Sequence, residues 1–272
     1  MQLRPRRSVL YIPGDKPRVL EKARELAADV LILDLEDSVA PEAKIVAREQ
    51  VLAMAGGYGS REIVIRINGL DSPWGMDDLA MAATSSAHAI LIPKVNGPED
   101  LARGRKFSGN KDLWAMMETP RAVFNALAIA DAKPGCLVIG TNDLLKETRM
   151  ESRAYLLPAL THIGLAARAA GVDCVDGVFN DFRNAEGFAA ECLQGRGLGM
   201  DGKTLIHPSQ IDVANQSFAP SSSELEWAQK VVAAFALPDA QGKGVITVEG
   251  RMVERLHLEM AQRTLLISKV IS

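Results

Sequence analysis

No stretch of this 272-residue chain is long and uncharged enough to span a bilayer: its apolar runs fall far short of the roughly 18–20 residues a membrane helix needs. The opening residues, with Arg4, Arg6 and Arg7, lack the apolar core of a secretory signal, and the small basic cluster reads as a solvated terminus. Cysteine is scarce. Cys136, Cys174 and Cys192 are odd in number and widely spaced, with no zinc-type pairing, and Cys136 and Cys174 sit in apolar strand contexts as buried reduced thiols. Charge of one sign is missing too: 31 basic against 34 acidic residues leave −3, which gives no reason to expect nucleic acid or a membrane surface as partner. No G-x-G-x-x-G follows the first strand, and Gly195-Arg-Gly-Leu-Gly199 lacks the strand and helix around it that a dinucleotide site requires. There is no internal repeat and no low-complexity segment. What remains, at 47% hydrophobic and 24% charged, is expected to be a cytoplasmic globular protein of one large α/β domain with an appendage.

What is present is a recurring unit, an apolar strand followed by a helix start. Its clearest copy is Leu113-Trp-Ala-Met-Met-Glu118-Thr-Pro120. The five apolar residues read as a strand buried on both faces, Thr119 as an N-cap, and Pro120 as a first-turn residue whose missing N–H costs nothing. Cys136-Leu-Val-Ile-Gly140-Thr-Asn-Asp143 repeats the layout. Strands are also expected at Ser8–Gly14, Asp29–Asp34, Glu62–Gly69, Ala87–Lys94, Asp173–Phe179 and in the glycine-rich stretch from Gly195 to Pro208. Eight such units, one every 25 residues or so, are what a closed (β/α)₈ TIM barrel needs, with an open doubly wound sheet as the alternative. Beyond Asn215 the pattern changes: a helix capped by Ser221–Ser223, a polar glycine-containing link, a short hairpin at Val245–Gly250 and a last helix. The expected organisation is a barrel over residues 1–214 and a C-terminal arm or lid over 215–272 that closes on a neighbouring mouth or mediates oligomerisation.

Sites on such folds are built at the carboxyl ends of the strands. Glu118 and Asp143 stand at two successive ends and supply the one or two protein carboxylates that Mg²⁺ usually takes, leaving positions for water and for a chelating oxo acid. The metal would then act as a Lewis acid in making or breaking a C–C bond through an enolate. Asp34, Glu36 and Asp37 crowd the end of the second strand. Arg66 alternates into an otherwise apolar strand and must point to something polar. Two readings are open for it, and they are compatible: a structural ion pair with Asp34, Glu36 or Asp37, or a guanidinium fork for a substrate carboxylate. Lys94 ends the fourth strand; His88 opens it, at the wrong end for catalysis.

Arg7-Ser-Val-Leu-Tyr-Ile-Pro-Gly14, Asp34-Leu-Glu-Asp37, Arg66-Ile-Asn68, Ile92-Pro-Lys94, Met117-Glu-Thr119, Gly140-Thr-Asn-Asp143-Leu, Gly202-Lys-Thr-Leu-Ile-His-Pro-Ser-Gln210 and Gly242-Lys-Gly with Gly250-Arg-Met-Val-Glu254 follow one another along nearly the whole chain. In this order they resemble the citrate lyase β-chain/malyl-CoA lyase group of the hydroxy-oxo-heptanedioate aldolase/citrate lyase superfamily. The resemblance implies a barrel that assembles as a homotrimer or a dimer of trimers. It implies Mg²⁺, or Mn²⁺ in its place, on Glu118 and Asp143, and substrate held by Arg66, Glu118, Gly140, Thr141 and Asn142. Asp37 and Glu36 would order the metal waters and Arg66. Coenzyme A would lie along Arg7, Gly14, Lys16, His207 and Pro208.

The implied reaction is reversible carbon–carbon cleavage of a 3-hydroxyacyl-CoA, with malyl-, methylmalyl- and citramalyl-CoA as candidates, to acetyl-CoA or propionyl-CoA and an oxo acid. Two alternatives stand beside it: the β chain of a citrate lyase working with an acyl-carrier protein, and an aldolase acting on a non-CoA oxo acid. One departure is informative. Malyl-CoA lyases and related thioesterases carry an aspartate in the Met-Val/Ile-Asp motif of the arm and supply it to a neighbour's site; here that position is Glu254, one methylene longer.

Overall fold

The computed structural model describes residues 4–271. Eight parallel strands close into a barrel: β1 (Ser8–Pro13), β2 (Val30–Asp34), β3 (Glu62–Arg66), β4 (Ala89–Ile92), β5 (Asp112–Met117), β6 (Cys136–Ile139), β7 (Asp173–Asp176) and β8 (Gly202–Leu205). Each pairs with the next, and β8 returns to β1 with Val9 opposite Thr204. The helices of this unit are α1 (Pro17–Lys22), α2 (Lys44–Met54), α3 (Gly75–Thr84), α4 (Pro98–Arg105), α5 (Pro120–Phe124), α6 (Ala126–Asp131), α7 (Thr141–Thr148), α8 (Arg153–Ala170), α9 (Ala185–Gly197) and α10 (Ile211–Phe218). The (β/α)₈ expectation holds and the open sheet is ruled out. Among the described residues, no helix is long and apolar enough to cross a membrane.

The two-residue period of a strand sorts the side chains. Val9, Val30, Ile32, Val64, Ala89, Leu91, Trp114, Met116, Cys136, Val138 and Val175 fill the barrel interior. Their neighbours Leu10, Leu31, Leu33, Ile63, Ile65, Ile90, Leu113, Ala115, Leu137 and Cys174 face the helices. Counting on by twos, Asp34, Arg66 and Glu118 continue the inward rows and emerge at the mouth. Asp176 and Lys203 continue outward rows. There Lys203, fully buried, donates to Asp176 Oδ2 (2.9 Å) and Glu191 Oε1 (2.6 Å), and Arg153 grips Asp176 through both Nη atoms (2.8 Å each).

One element bound differs from expectation: Gly195 and Gly197 end α9 rather than opening β8. Helix α3 begins at Gly75, after a turn in which the Ser72 hydroxyl accepts from the Gly75 N–H (3.1 Å). Thr119 does cap α5, accepting from the Ala122 N–H at 3.0 Å. All three cysteines are free and buried.

The chain divides into two compact units, the barrel unit Arg6–Phe218 and one formed largely from Ala219 onward. Helix α10 packs on α9, β1 and β8, which is why the barrel unit extends to Phe218. The second unit contains α11 (Ser222–Ala236), a hairpin of β9 (Val245–Val248) and β10 (Arg251–Glu254), and α12 (Arg255–Ile271). Ser221 and Glu224 cap α11 reciprocally. The hairpin turns through Glu249 and Gly250, both with positive φ (48° and 77°), as a two-residue loop matched to strand twist demands. Its core is Ala228, Val231, Val248, Val253 and Ala261.

The amino end of the barrel is closed by Arg6. Its guanidinium lies 4.6 Å from the Trp114 ring centre, donates to Glu62 through Nε (2.8 Å) and Nη2 (2.9 Å), and reaches Asp173 and the Gly135 carbonyl. Removing one member of such a buried pair strands the other charge, at a cost of about 3–5 kcal/mol. Arg6→Met should therefore lower the urea midpoint by a large part of the total stability, whereas Lys230→Ala, which loses an exposed pair with Glu249, should leave it nearly unchanged. Chemical denaturation of both variants measures the contrast.

Candidate active site

At the carboxyl mouth, Arg66 and Asp34 form a buried, two-pronged pair: Nε to Oδ1 and Nη2 to Oδ2, each 2.7 Å. Asp34 also accepts from the Glu36 N–H (2.9 Å), the Ser38 N–H (3.1 Å) and the Ser38 hydroxyl (2.5 Å), so one carboxylate shapes the whole loop after β2. Burial alone would push the Asp34 carboxyl up, but the Arg66 charge and these hydrogen bonds outweigh it and hold it below the ordinary range. Of the two readings of Arg66, the structural pair is thus realised. What faces the mouth is Nη1, 3.0 Å from Glu36 Oε2 and 3.2 Å from Asp37 Oδ2. The Tyr11 ring backs the guanidinium at 4.7 Å, a contact the sequence did not signal.

A cavity of about 280 Å³ opens over this pair. Tyr11, Asp37, Arg66, Met116, Glu118, Gly140, Thr141, Asn142 and Asp143 are among its walls. Glu118 is fully buried. Its Oε1 accepts from the Lys94 N–H at 2.7 Å, and its Oε2 has no hydrogen-bond partner in the protein. Burial, reinforced by Asp143 against the Lys94 N–H, pushes its carboxyl up to about 7. Glu36, buried beside Arg66, Glu118 and Asp37, is pushed up to about 8, burial being the largest cause, and its Oε2 is ion-paired with Arg66 Nη1. The unpartnered Oε2 of Glu118, buried at a strand-end mouth, is what a hard cation would satisfy. Among the described residues no cluster of three or more His, Cys, Asp or Glu gathers as a metal cage; Glu118 and Asp143 share one wall of the cavity.

The other expected residues divide. Gly140 serves by lacking a side chain: a Cβ there would lie 2.5 Å from Glu118 Cβ and 2.8 Å from its Oε2. Asn142 is exposed and exchanges hydrogen bonds with Asn180. Gly14 follows β1 at the mouth, where a Cβ would meet the Asp34 carbonyl at 2.7 Å; Lys16 is exposed nearby, paired with Asp15. His207 and Pro208 follow β8, with the His207 ring stacked on Phe182 (4.5 Å between centres). Arg7 is a correction. It precedes β1, at the amino end of the barrel, and its guanidinium forks onto Asp29 (2.8 Å to each oxygen), so it cannot join a site at the mouth. Glu254 ends β10 in the second unit, its N–H donated to His257 Nδ1 (3.0 Å).

Comparison with known proteins fits this geometry. Residues 7–208 match the family model described as HpcH/HpaI aldolase/citrate lyase, and 154–272 match one for C–C bond lyases of the TIM-barrel fold. A (3S)-malyl-CoA thioesterase of Cereibacter sphaeroides is 47% identical, covering all of this chain and 97% of the relative. The citrate lyase β subunit of Escherichia coli is 34% identical over 96% of this chain and 93% of its own length. The crystal structure of CitE from Mycobacterium tuberculosis in complex with magnesium, acetoacetate and coenzyme A superposes with a TM-score of 0.83 at 29% identity, covering 99% of this chain and all of that one.

Because Glu36 and Glu118 are both held above the ordinary carboxyl value of 4.5, the metal-free fold binds more protons than the unfolded chain between about 4.5 and 7–8. Their contribution to stability is complete below that window and is lost as pH rises through it. The depressed Asp34 acts oppositely, but at lower pH, where protonating it removes stability. The metal-free melting temperature should therefore fall between pH 5.5 and 8, with a shallower fall in Glu118→Gln. Millimolar Mg²⁺ should raise it at pH 8 and hardly at pH 5.5. A Mg²⁺ effect equal at both values would contradict the assignment of Glu118.

Proposed function

The chain belongs to the HpcH/HpaI aldolase/citrate lyase family, and on that footing we propose that it is a Mg²⁺-dependent carbon–carbon lyase of 3-hydroxyacyl-CoA esters. Malyl-, methylmalyl- and citramalyl-CoA are the substrates, cleaved to acetyl-CoA or propionyl-CoA and glyoxylate or pyruvate. The observation that carries the proposal is the partnerless Glu118 Oε2 in a wall shared with Asp143, at the mouth of a barrel whose relatives act on such thioesters.

Glu118 and Asp143 would hold the metal, which when bound polarises the oxygens of a chelating hydroxy or oxo acid. Arg66 offers Nη1 to the substrate carboxylate, its fork being committed to Asp34. Asp37, on the cavity wall and beside Arg66, accepts the hydroxyl proton as the C–C bond breaks. The bonding pair passes into the thioester as an enolate, and the new C–H bond takes its proton from Glu254 of a neighbouring subunit in a trimer or dimer of trimers. Glu36, with Oε2 3.0 Å from Arg66 Nη1, braces the guanidinium from the loop after β2. Gly14, Lys16, His207 and Pro208 would border the coenzyme A chain.

A second reading has its own support: relatives at 47–48% identity are named (3S)-malyl-CoA thioesterases. The same site would then deliver water to the thioester carbonyl and release free thiol and the hydroxy acid. One assay separates the two. Malyl-, methylmalyl-, citramalyl- and citryl-CoA are incubated with Mg²⁺ or with EDTA, and oxo acid, acetyl-CoA and free CoA are measured. Metal-dependent oxo acid with acetyl-CoA or propionyl-CoA supports the lyase; free CoA with no oxo acid supports hydrolysis. Silence across the panel turns the search to a carrier-bound acyl group. Glu118→Ala should reduce turnover by about 10³-fold or more, the equivalent of about 4 kcal/mol. Glu254→Gln should cost about 10²-fold in kcat with little change in KM, the loss of a general acid; unchanged turnover would remove Glu254 from the mechanism.

A further inference from the structure

Lys94 is the first residue past Pro93 at the end of β4, and its backbone is left-handed, with φ at 53°. For a residue with a Cβ that conformation is uncommon and carries strain, which persists only where the surroundings impose it. It occurs where the Lys94 N–H donates to Glu118 Oε1 at 2.7 Å. The side chain, by contrast, is about half exposed (52%), and its ammonium stands 3.7 Å from Glu36 Oε1. On the far side of Glu118, Gly140 leaves clear the space that Oε2 occupies, since a Cβ there would come within 2.8 Å of that oxygen. One oxygen is thus tied to a main-chain donor from β4, and the other is kept open by an absent side chain from the end of β6.

We infer that Lys94 is a positioning residue that acts through its left-handed main chain rather than its ammonium, fixing Glu118 so that Oε2 alone is presented to the cation. This rests on the reading of Glu118 as a metal-holding carboxylate. A carboxylate free to rotate could turn either oxygen, or both, toward the cavity. Locking Oε1 selects one-oxygen presentation and removes the rotational freedom that binding would otherwise have to freeze. The sequence requirement is then a residue at position 94 that tolerates positive φ and has an N–H, and at position 140 one without a Cβ.

The test uses full-length protein and Mg²⁺ alone as the probe, with calorimetric dissociation constants and metal-free melting temperatures measured together. Lys94→Gly keeps the backbone and deletes the ammonium, so it should bind Mg²⁺ within about twofold of wild type. Lys94→Ile resists positive φ and should bind at least about tenfold more weakly, as should Gly140→Ala, in line with the loss of a group that orients a metal ligand. Lys94→Val, also β-branched but smaller, is the substitute should the isoleucine variant not fold. A merely structural role would lower the melting temperature and leave the dissociation constant alone. Unchanged affinity in Lys94→Ile or its valine substitute overturns the inference, and so does a loss in Lys94→Gly as large as in Lys94→Ile, which would hand the role to the ammonium. Hydrogen exchange of the Lys94 amide in metal-free protein is independent of the metal reading: it should quicken at least about tenfold in Glu118→Ala, and equal rates would sink the proposed contact. Wild-type protein that takes up no Mg²⁺ while its Lys94 amide is protected would instead count against the functional reading and leave the positioning of Glu118 standing.

Discussion

The mouth of this barrel depends on the buried pair of Asp34 and Arg66. Desolvating two charges costs several kcal/mol per ion unless geometry and extra hydrogen bonds return it. Here both conditions are met: two parallel 2.7 Å bonds, three more donors on Asp34 from Glu36 and Ser38, and the Tyr11 face behind the guanidinium. The pair is a local arrangement with a long reach. Asp34 bends the loop that carries Glu36 and Asp37 over the cavity, and Arg66 fixes a cation at the edge of that loop. For Glu36 and Glu118, burial raises the carboxyl and the charge of Arg66 opposes it.

That dependence explains how neighbouring carboxyls come to differ. Asp34 is held ionised by direct contact with Arg66, while Glu36 and Glu118 share the same buried space with less compensation and are pushed up to about 8 and about 7. Acids tuned apart by their surroundings are the usual mark of a working site. The Asp176–Lys203–Glu191–Arg153 network shows that composition alone does not decide this. It has the same kinds of groups on adjacent strands, but its strand residues stand on outward rows, where the charges satisfy one another between barrel and helices. Parity along the strand separates a scaffold network from a site.

Much of this was legible in the sequence. Strand–helix spacing is set by the barrel's repeat, and Glu118, Asp143 and the acids after β2 stand out because a carboxylate ending an apolar strand is costly without a purpose. Arg66 was legible as an anomaly, although its partner was not, because Asp34, Glu36 and Asp37 all lie within reach of a long side chain. The misplacement of Arg7 has a simple origin: the stretch Arg7–Gly14 runs the full height of β1, so one motif has residues at both ends of the barrel, and only its far end reaches the mouth. Lys94 and Tyr11 were hidden for different reasons. A left-handed backbone at a lysine leaves no compositional trace, and a tyrosine beside a buried arginine is a contact between strands that are not neighbours.

The commitment of Arg66 to Asp34 also bears on how a substrate would be held. A guanidinium with its fork free can fix a carboxylate in two dimensions. Here Nε and Nη2 are taken, and Nη1 is shared with Glu36 and Asp37, so Arg66 can supply attraction but little orientation. Orientation must then come from groups whose own direction is fixed. Glu118 meets that condition, tied by a main-chain donor on one oxygen and given clearance by Gly140 for the other. The barrel thus divides two tasks among its strand ends, with charge from β2 and β3 and direction from β4, β5 and β6.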